Sequence, residues 1–274
     1  MSTLFLVGTP IGNMGDLSPR AVEVLGSVGL VCCEDTRRTG LMLNNLGIDA
    51  VLMRLDEHTE IASIPRVLDA LNDGRNVALV SDAGTPGISD PGHRLVAAIV
   101  DGPHVVSAIP GPSAALAALT ISGLPTDRFV FEGFVPRSGR ERNERLAEIA
   151  RETRTSIIFE APHRLERTLD DLIVACGDER RVAVCRELTK VHEEIVRGSL
   201  AEVRRLVGEP RGEYVIVLAG IDQGATASPD EIDRLLRNEL AEGASTRDAA
   251  ATVADLTGLG RKALYERALL LGRE

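Results

Sequence analysis

Three apolar runs near the start of the chain each end in a loop rich in glycine and proline: residues 8–13 (Gly8-Thr9-Pro10-Ile11-Gly12-Asn13), residues 82–92 and residues 109–113. Glycine lets a backbone come close to a ligand, and proline holds a loop rigid without offering a donor. Such loops at consecutive strand ends suit a ligand held largely by main-chain groups, such as a nucleoside-like cofactor. Polar side chains stand beside them. Glu34-Asp35-Thr36-Arg37-Arg38 closes one apolar run and Asp82 follows another. In the second half, Glu160, His163 and Arg164 follow a strand-like run, and Arg186-Glu187-Leu188-Thr189-Lys190 follows a further one. Carboxylates there could take a proton and cations could hold an anionic group. As a set they describe a polar cleft between two domains, a common site for chemistry.

Composition narrows the reading. With 31 Lys+Arg against 41 Asp+Glu, the formal charge is -10, unfavourable for holding naked nucleic acid or an anionic membrane by bulk charge. Aromatic content of 3% with no Trp leaves no broad stacking surface. No P-loop, no Gly-x-Gly-x-x-Gly after a strand and no Gly-x-Ser-x-Gly elbow occurs. The five histidines fall in no metal-binding spacing, so no metal is expected. Cys32, Cys33, Cys176 and Cys185 form no Cys-x-x-Cys pair, and adjacent Cys32 and Cys33 read as small buried residues. With no leader-like start and no apolar run of 18 residues, the chain reads as reduced, cytoplasmic and not membrane-bound.

The elements that must carry these residues alternate. Strand-like runs at 3–7, 30–33, 76–81 and 105–108 are separated by helix-type segments, which predicts a parallel, doubly wound sheet with ligands at the carboxyl ends of its strands. Ser18-Pro19 opens one helix, Ser as cap and Pro at the first position. After Gly123-Leu124-Pro125 the strands come closer together, at 129–134, 155–160, 181–186, 192–197 and 213–219, which predicts a mixed-sheet α/β domain. Residues 222–228 read as a linker, followed by three short helices at 229–241, 246–256 and 261–271. Thr257-Gly258-Leu259-Gly260 resembles the turn of a helix-turn-helix, although a helical cap that merely packs accounts for the segment equally well. The expected domains are 1–122, 123–221 and 222–274.

Several strings in order carry a resemblance: Thr9-Pro10-Ile11-Gly12-Asn13, Glu34-Asp35-Thr36-Arg37, Ser81-Asp82-Ala83-Gly84-Thr85-Pro86, Asp90-Pro91-Gly92 and Pro110-Gly111-Pro112-Ser113-Ala114. Glu132-Gly133-Phe134, His163-Arg164, Arg186-Glu187-Leu188-Thr189-Lys190 and Gly212-Glu213 continue them. Over essentially its whole length the chain resembles the bacterial ribosomal RNA small subunit methyltransferase I family, 16S rRNA cytidine 2′-O-methyltransferases of the tetrapyrrole-methylase superfamily. At His58-Thr59-Glu60 it departs from the His-Asn-Glu often seen there. The resemblance implies an α/β protein of two tetrapyrrole-methylase-type domains with S-adenosyl-L-methionine (AdoMet) in the cleft between them, a small helical tail and a homodimer. By motif, the cofactor would meet Pro10 on the first loop, Asp82, Gly84, Thr85, Pro86 and Ile88 on the second, and Ser113 and Ala114 on the third. On the second domain it would meet Phe159, Glu160 and Ala161, with Glu213, Tyr214 and Val215 beside them.

The implied reaction moves a methyl group from a sulfonium to a ribose 2′-oxygen. Glu34, Asp35, His58 and Glu187 are candidates for the base. Lys190 joins them only if burial depresses its pKa; otherwise it could polarise the hydroxyl or hold phosphate. Arg37, Arg38, Arg137 and Arg140, with Arg142, Arg145, Arg164 and Arg186, are candidates for rRNA phosphate. Given the charge of -10, the 30S particle is the expected substrate in preference to naked 16S rRNA. Two rivals share parts of this reading: a tetrapyrrole (precorrin-type) C-methyltransferase, and a non-catalytic ribosome-assembly RNA-binding module.

Overall fold

The structure is a computed structural model, and it describes residues 1–208, 210–221, 229–241, 243–257 and 259–271. The chain forms two compact units, Met1–Ala150 with Arg154–Ala219, and Arg151–Thr153 with Gly220–Glu274.

The first half of the larger unit runs β1 (Thr3–Val7), α1 (Pro19–Ser27), β2 (Leu30–Cys33), α2 (Thr36–Asn45), β3 (Leu52–Arg54), α3 (Glu60–Asn72), β4 (Val77–Val80), α4 (His93–Val100), β5 (Val105–Ile109) and α5 (Ala114–Ser122). Its five strands are all parallel, in the order β3-β2-β4-β1-β5, as the strand–helix alternation predicts. Successive residues of a strand point to opposite faces. Leu4, Cys32 and Leu79 therefore join Val67, Leu71 and Leu95 of α3 and α4 on one side. Val7, Val31, Cys33 and Val80 meet Ala21, Leu25 and Leu43 of α1 and α2 on the other. Cys32 and Cys33 are both fully buried and free, and burial pushes the Cys32 thiol up to about 12. Ser18 caps α1 by accepting the Ala21 N–H, with Pro19 at the first helical position. The short strand β3 was not expected; its three residues carry too little pattern to stand out.

The second half runs β6 (Phe129–Phe134), α6 (Gly139–Arg151), β7 (Thr155–Glu160), α7 (Pro162–Cys176), β8 (Arg181–Arg186), β9 (Glu194–Ser199), α8 (Leu200–Leu206) and β10 (Tyr214–Leu218). This sheet is mixed, in the order β6-β7-β10-β8-β9, with only β6 and β7 parallel. Helix α8 was also not expected. One face packs Leu165, Leu169 and Leu172 of α7 on Ile158, Val184 and Ile216. The other face is covered by α5, whose Ala115, Ala118 and Leu119 lie against Ile157, Val215 and Val217, with Ile11 in the same cluster. Thus α5, ahead of the expected boundary at residue 123, packs on the second sheet and carries the loop 110–113 with it.

In the smaller unit, α9 (Pro229–Ala241), α10 (Thr246–Thr257) and α11 (Arg261–Leu271) bury Leu236, Val253, Leu264 and Ala268. The expected linker 222–228, and Gly258 of the expected turn, lie outside the described residues. No helix among the described residues is long and apolar enough to cross a membrane.

Candidate active site

All five strands of the first sheet end on one edge, and the loops leaving β1, β4 and β5 meet there. The backbones of Thr9 and Gly84 pair in both directions, N to O at 2.8 and 3.1 Å, and Thr9 Oγ1 donates to Ser81 O at 3.1 Å. Thr85 Oγ1 donates to Pro112 O at 3.3 Å. Gly8 and Gly111 are so close that a Cβ on Gly8 would stand 2.8 Å from Gly111 Cα. Gly84 itself has φ +87°, a conformation that favours glycine. Gly8 and Gly111 therefore serve close approach of one loop to another, and Gly84 a turn of positive φ.

Above the joined loops lies a cleft of about 430 Å³, within the usual range for small-molecule sites. Gly84, Thr85 and Ile88 line one wall, with Ser113 and Ala114 at the start of α5. Phe159, Glu160 and Ala161 at the end of β7 line the other, with Glu213, Tyr214 and Val215 at the start of β10. Glu34, Arg38 and Asp82 also line it. Of the expected cofactor contacts, only Pro10 and Pro86 stand off it. Pro10 is half-buried and Pro86 buried behind the loop. The wall also holds residues for which no role was expected, among them Ile11, Asp90, Phe134 and Leu188. Phe134 packs edge-on against Phe159, centroids 5.8 Å apart, and forms an apolar patch. Asp90 is half-buried; burial first, then the charges of Glu34 and Asp82, push its carboxyl up to about 6, with the Ser81 hydroxyl acting the other way. Glu34 is raised by burial and then by the nearby Asp82 and Asp56.

Asp35, Arg37 and His58 stand in an adjoining hollow that shares Glu34 and Asp82 with the cleft. Asp35 caps α2, accepting the Arg37 N–H at 2.8 Å and both ends of the Arg37 guanidinium. The hydrogen bond from that guanidinium holds the Asp35 carboxyl well below the usual carboxylate range, so Asp35 is ionised and a poor proton acceptor. Asp82 accepts the Asp35 N–H and Arg38, both at 3.1 Å, which makes it a brace between two loops. His58 is exposed at a turn where Asp56 accepts the N–H groups of His58 and Thr59.

On the opposite wall, Lys190 Nζ donates to Glu187 Oε1 and Glu213 Oε2, each at 2.9 Å. Burial alone would lower the Lys190 pKa, but the bonds to Glu187 and Glu213 outweigh it and raise the value. Lys190 is therefore held as a cation, and the condition on which it would serve as a base, a depressed pKa, is not met. Glu187 is held low, first by its bond to Lys190. Glu187 and Lys190 do not themselves line the cleft, while Leu188 between them does.

Arg164 also departs from expectation. Its guanidinium turns inward to Glu160, at 3.2 Å, and to Val135 O, so it braces the wall and offers no free cation to RNA. Arg142 is fully buried among Asp171, Pro136 O and Thr168. Glu160 completes this network: it accepts from Ala161 N, Arg164 and Thr168 Oγ1. Arg140 pairs with Glu144 and Arg145 with Glu132. Arg186 donates to Arg211 O and Glu194. Arg137 is exposed ahead of α6.

The same fold occurs in solved structures. The chain superposes on the methyltransferase CobJ with a TM-score of 0.60 at 19% identity, over 81% of this chain and 95% of that one. It matches a cobalt precorrin-4 methyltransferase, CbiF, with a TM-score of 0.60 at 16% identity, over 79% and 94%. Residues 3–204 match the family of tetrapyrrole (corrin/porphyrin) methylases, and residues 226–272 match the RsmI C-terminal HTH domain. Proteins named ribosomal RNA small subunit methyltransferase I are similar over nearly the whole length: 45% identical in Synechocystis sp. over 99% of both chains, and 43% in Mycobacterium tuberculosis over 99% of this chain and 96% of that one. The relative of that name in Escherichia coli O157:H7 is 42% identical over 97% and 94%. A parallel sheet and a mixed sheet enclosing a loop-lined cleft, together with this full-length similarity, make the chain a member of the ribosomal RNA small subunit methyltransferase I family of tetrapyrrole methylases.

Proposed function

We propose that the protein uses AdoMet to methylate the ribose 2′-oxygen of a cytidine in 16S rRNA, acting on the 30S subunit in the cytoplasm as a homodimer. The observation that carries this reading is the cleft, whose three kinds of lining fit three parts of that cofactor. Backbone at Gly84 and the start of α5 suits polar edges of a nucleoside. Ile11, Phe134, Phe159 and Val215 suit an apolar ring face. The carboxylate Glu34 suits a nearby positive charge. Bound there, AdoMet supplies a methyl group on a positively charged sulfur, already activated for displacement.

The chain's own contribution is then mainly position, which can be worth roughly 7–11 kcal/mol of barrier. The braced loops hold one partner still, and an acceptor for the hydroxyl proton adds about 10²–10⁴-fold. Arg37, Arg38, Arg137 and Arg140 are the candidates whose side chains are exposed and so suited to meeting phosphate. The test is incubation with labelled AdoMet and 30S subunits lacking the modification, followed by mapping of the methyl group. The expected result is one cytidine 2′-O-methyl, formed faster on 30S particles than on naked 16S rRNA. Transfer to a tetrapyrrole instead, or binding of the particle without transfer, overturns the reading.

A further inference from the structure

Five carboxylates line the cleft: Glu34, Asp82, Asp90, Glu160 and Glu213. Three are ion-paired. Asp82 holds Arg38 at 3.1 Å, Glu160 holds Arg164 at 3.2 Å and Glu213 holds Lys190 at 2.9 Å. A carboxylate bound to a cation favours its charged form and takes a proton poorly. Glu34 and Asp90 alone among these five have no ion pair among the described residues.

The two differ in how firmly they are set. Glu34 lies between the cleft and the adjoining hollow and lines both. Asp90 lines only the cleft, on the loop that also carries Gly84, Thr85 and Ile88. That loop is clamped on both sides of Asp90. Ser89 sits at φ +60° and Gly92 at φ +136°, and the buried Glu60 accepts the N–H groups of Gly92 and Leu95 at 3.0 Å. A Cβ on Gly92 would stand 2.7 Å from Leu79, so the backbone has little room to shift.

We propose that Asp90, a cleft carboxylate on a clamped loop and without an ion pair among the described residues, is the catalytic residue that accepts the hydroxyl proton, with Glu34 as a positioning residue in the same cleft. This rests on the methyl transfer proposed above. The proton passes from the 2′-oxygen to Asp90, an oxygen–carbon bond forms to the methyl group, and the carbon–sulfur bond breaks with its electron pair kept by sulfur. The groups around Asp90 agree. Glu34 from the β2 loop and Asp82 from the β4 loop add negative charge, and Asp56 adds more beside Glu34. Arg38 and Arg54 oppose this at Glu34. Glu160, Glu213 and Tyr214 face it across the cleft, and His93 and Arg94 begin α4 beyond it. The resulting value of about 6 lies close to neutral pH, where a base is both deprotonated and basic.

The experiment follows Asp90→Asn, Glu34→Gln and Ser81→Ala by single-turnover methylation of unmodified 30S subunits from pH 5 to 9. AdoMet affinity is measured by calorimetry, and the carboxyl groups of each cofactor-free protein are titrated by carbon-13 NMR. The wild-type rate is expected to rise to a plateau through an inflection near pH 6. Asp90→Asn loses about 10²–10⁴-fold at the plateau, binds AdoMet within threefold of wild type, and lacks one carboxyl signal that titrates near pH 6. Glu34→Gln keeps the plateau within tenfold and moves the inflection and that signal to lower pH. Ser81→Ala, which removes a hydroxyl that favours the charged form of Asp90, moves both upward. Asp90→Asn with rate and inflection intact overturns the proposal, as does an inflection that vanishes in Glu34→Gln alone. A wild type that binds AdoMet but methylates no 30S subunit overturns the function itself, and is seen before any variant is made.

Discussion

The two walls of the cleft use their charges differently. On the wall built from β7, β8 and β10, the charged groups are paired: Glu160 with Arg164, and Glu187 and Glu213 with Lys190. On the wall built from the first sheet, Asp35 and Asp82 are paired while Glu34 and Asp90, lining the same cleft, have no ion pair among the described residues. Paired charges hold geometry, whereas like charges held together store proton affinity. The contrast assigns shape to one wall and proton chemistry to the other.

The largest effect that could break this contrast is in the buried network of the second wall. Glu160→Ala removes the partner of Arg164, Thr168 and the Ala161 N–H. Breaking a buried pair of this kind costs about 3–5 kcal/mol, to be read from urea unfolding. Glu34→Gln is expected to leave the urea midpoint unchanged or slightly higher, because it relieves repulsion. Equal losses in the two variants would remove the distinction between the walls.

A smaller effect sharpens the contact between the walls. Gly12, on the β1 loop, lies against Lys190. A Cβ there would overlap the Lys190 side chain, with Thr189 Oγ1 at 2.9 Å and Leu188 O at 3.0 Å. Gly12→Ala is therefore expected to cost about 1–3 kcal/mol by overpacking. Thermal unfolding of Gly12→Ala with and without Lys190→Ala checks the cause, since shortening Lys190 should return part of the loss.

Asp90→Asn should move stability the other way. The Asp90 pKa is raised in the fold from 3.8 to about 6, so the fold is favoured by the protonated form. That contribution is complete below the unfolded value and is lost as pH rises through about 6. At pH 8 the neutral Asn is expected to stabilise the cofactor-free protein by on the order of 1 kcal/mol, discounted for Asp90's contact with solvent. That corresponds to a rise in Tm of roughly 2–4 °C. The gain should vanish at pH 4, and a gain independent of pH would mean that charge is not its source.

Much of this could be read from the residues in order. Glycine and proline marked the three loops because close backbone approach permits almost nothing else at Gly8 and Gly111, and a positive φ favours glycine at Gly84. Strand–helix alternation gave the parallel sheet because its strands are buried on both faces and read as unbroken apolar runs. Strand β3 left too short a run to stand out, but α8 carried a signal: Ser199 and Glu202 form a reciprocal capping box, a pattern visible as Ser-x-x-Glu. The side-chain partnerships were not legible. Arg164 reads as a cation free for phosphate, yet Glu160 at the end of β7, four residues back, turns it inward. Asp90 stood in a conspicuous Asp-Pro-Gly string without a role, because its meaning depends on Glu34, which reaches the same cleft from another strand.

The finest discrimination comes from Lys190, a cation that bonds two carboxylates at once. Lys190→Met keeps an aliphatic stem against Gly12 and removes only the charge. Because Glu187 and Glu213 raise the Lys190 pKa above its ordinary 10.5, the pairing is present at all lower pH values where those carboxylates are ionised. Glu187 is lowered from 4.5, so its share is present above that value and fades as pH falls further. The expected loss is flat from pH 6 to 9 and below about 1 kcal/mol, since the pair is partly in solvent. Methylation should fall less than tenfold, with the inflection near pH 6 unmoved. An inflection that shifts in Lys190→Met would place the titrating group on the second wall, and the separation of shape from proton chemistry would fail at the residue best able to test it.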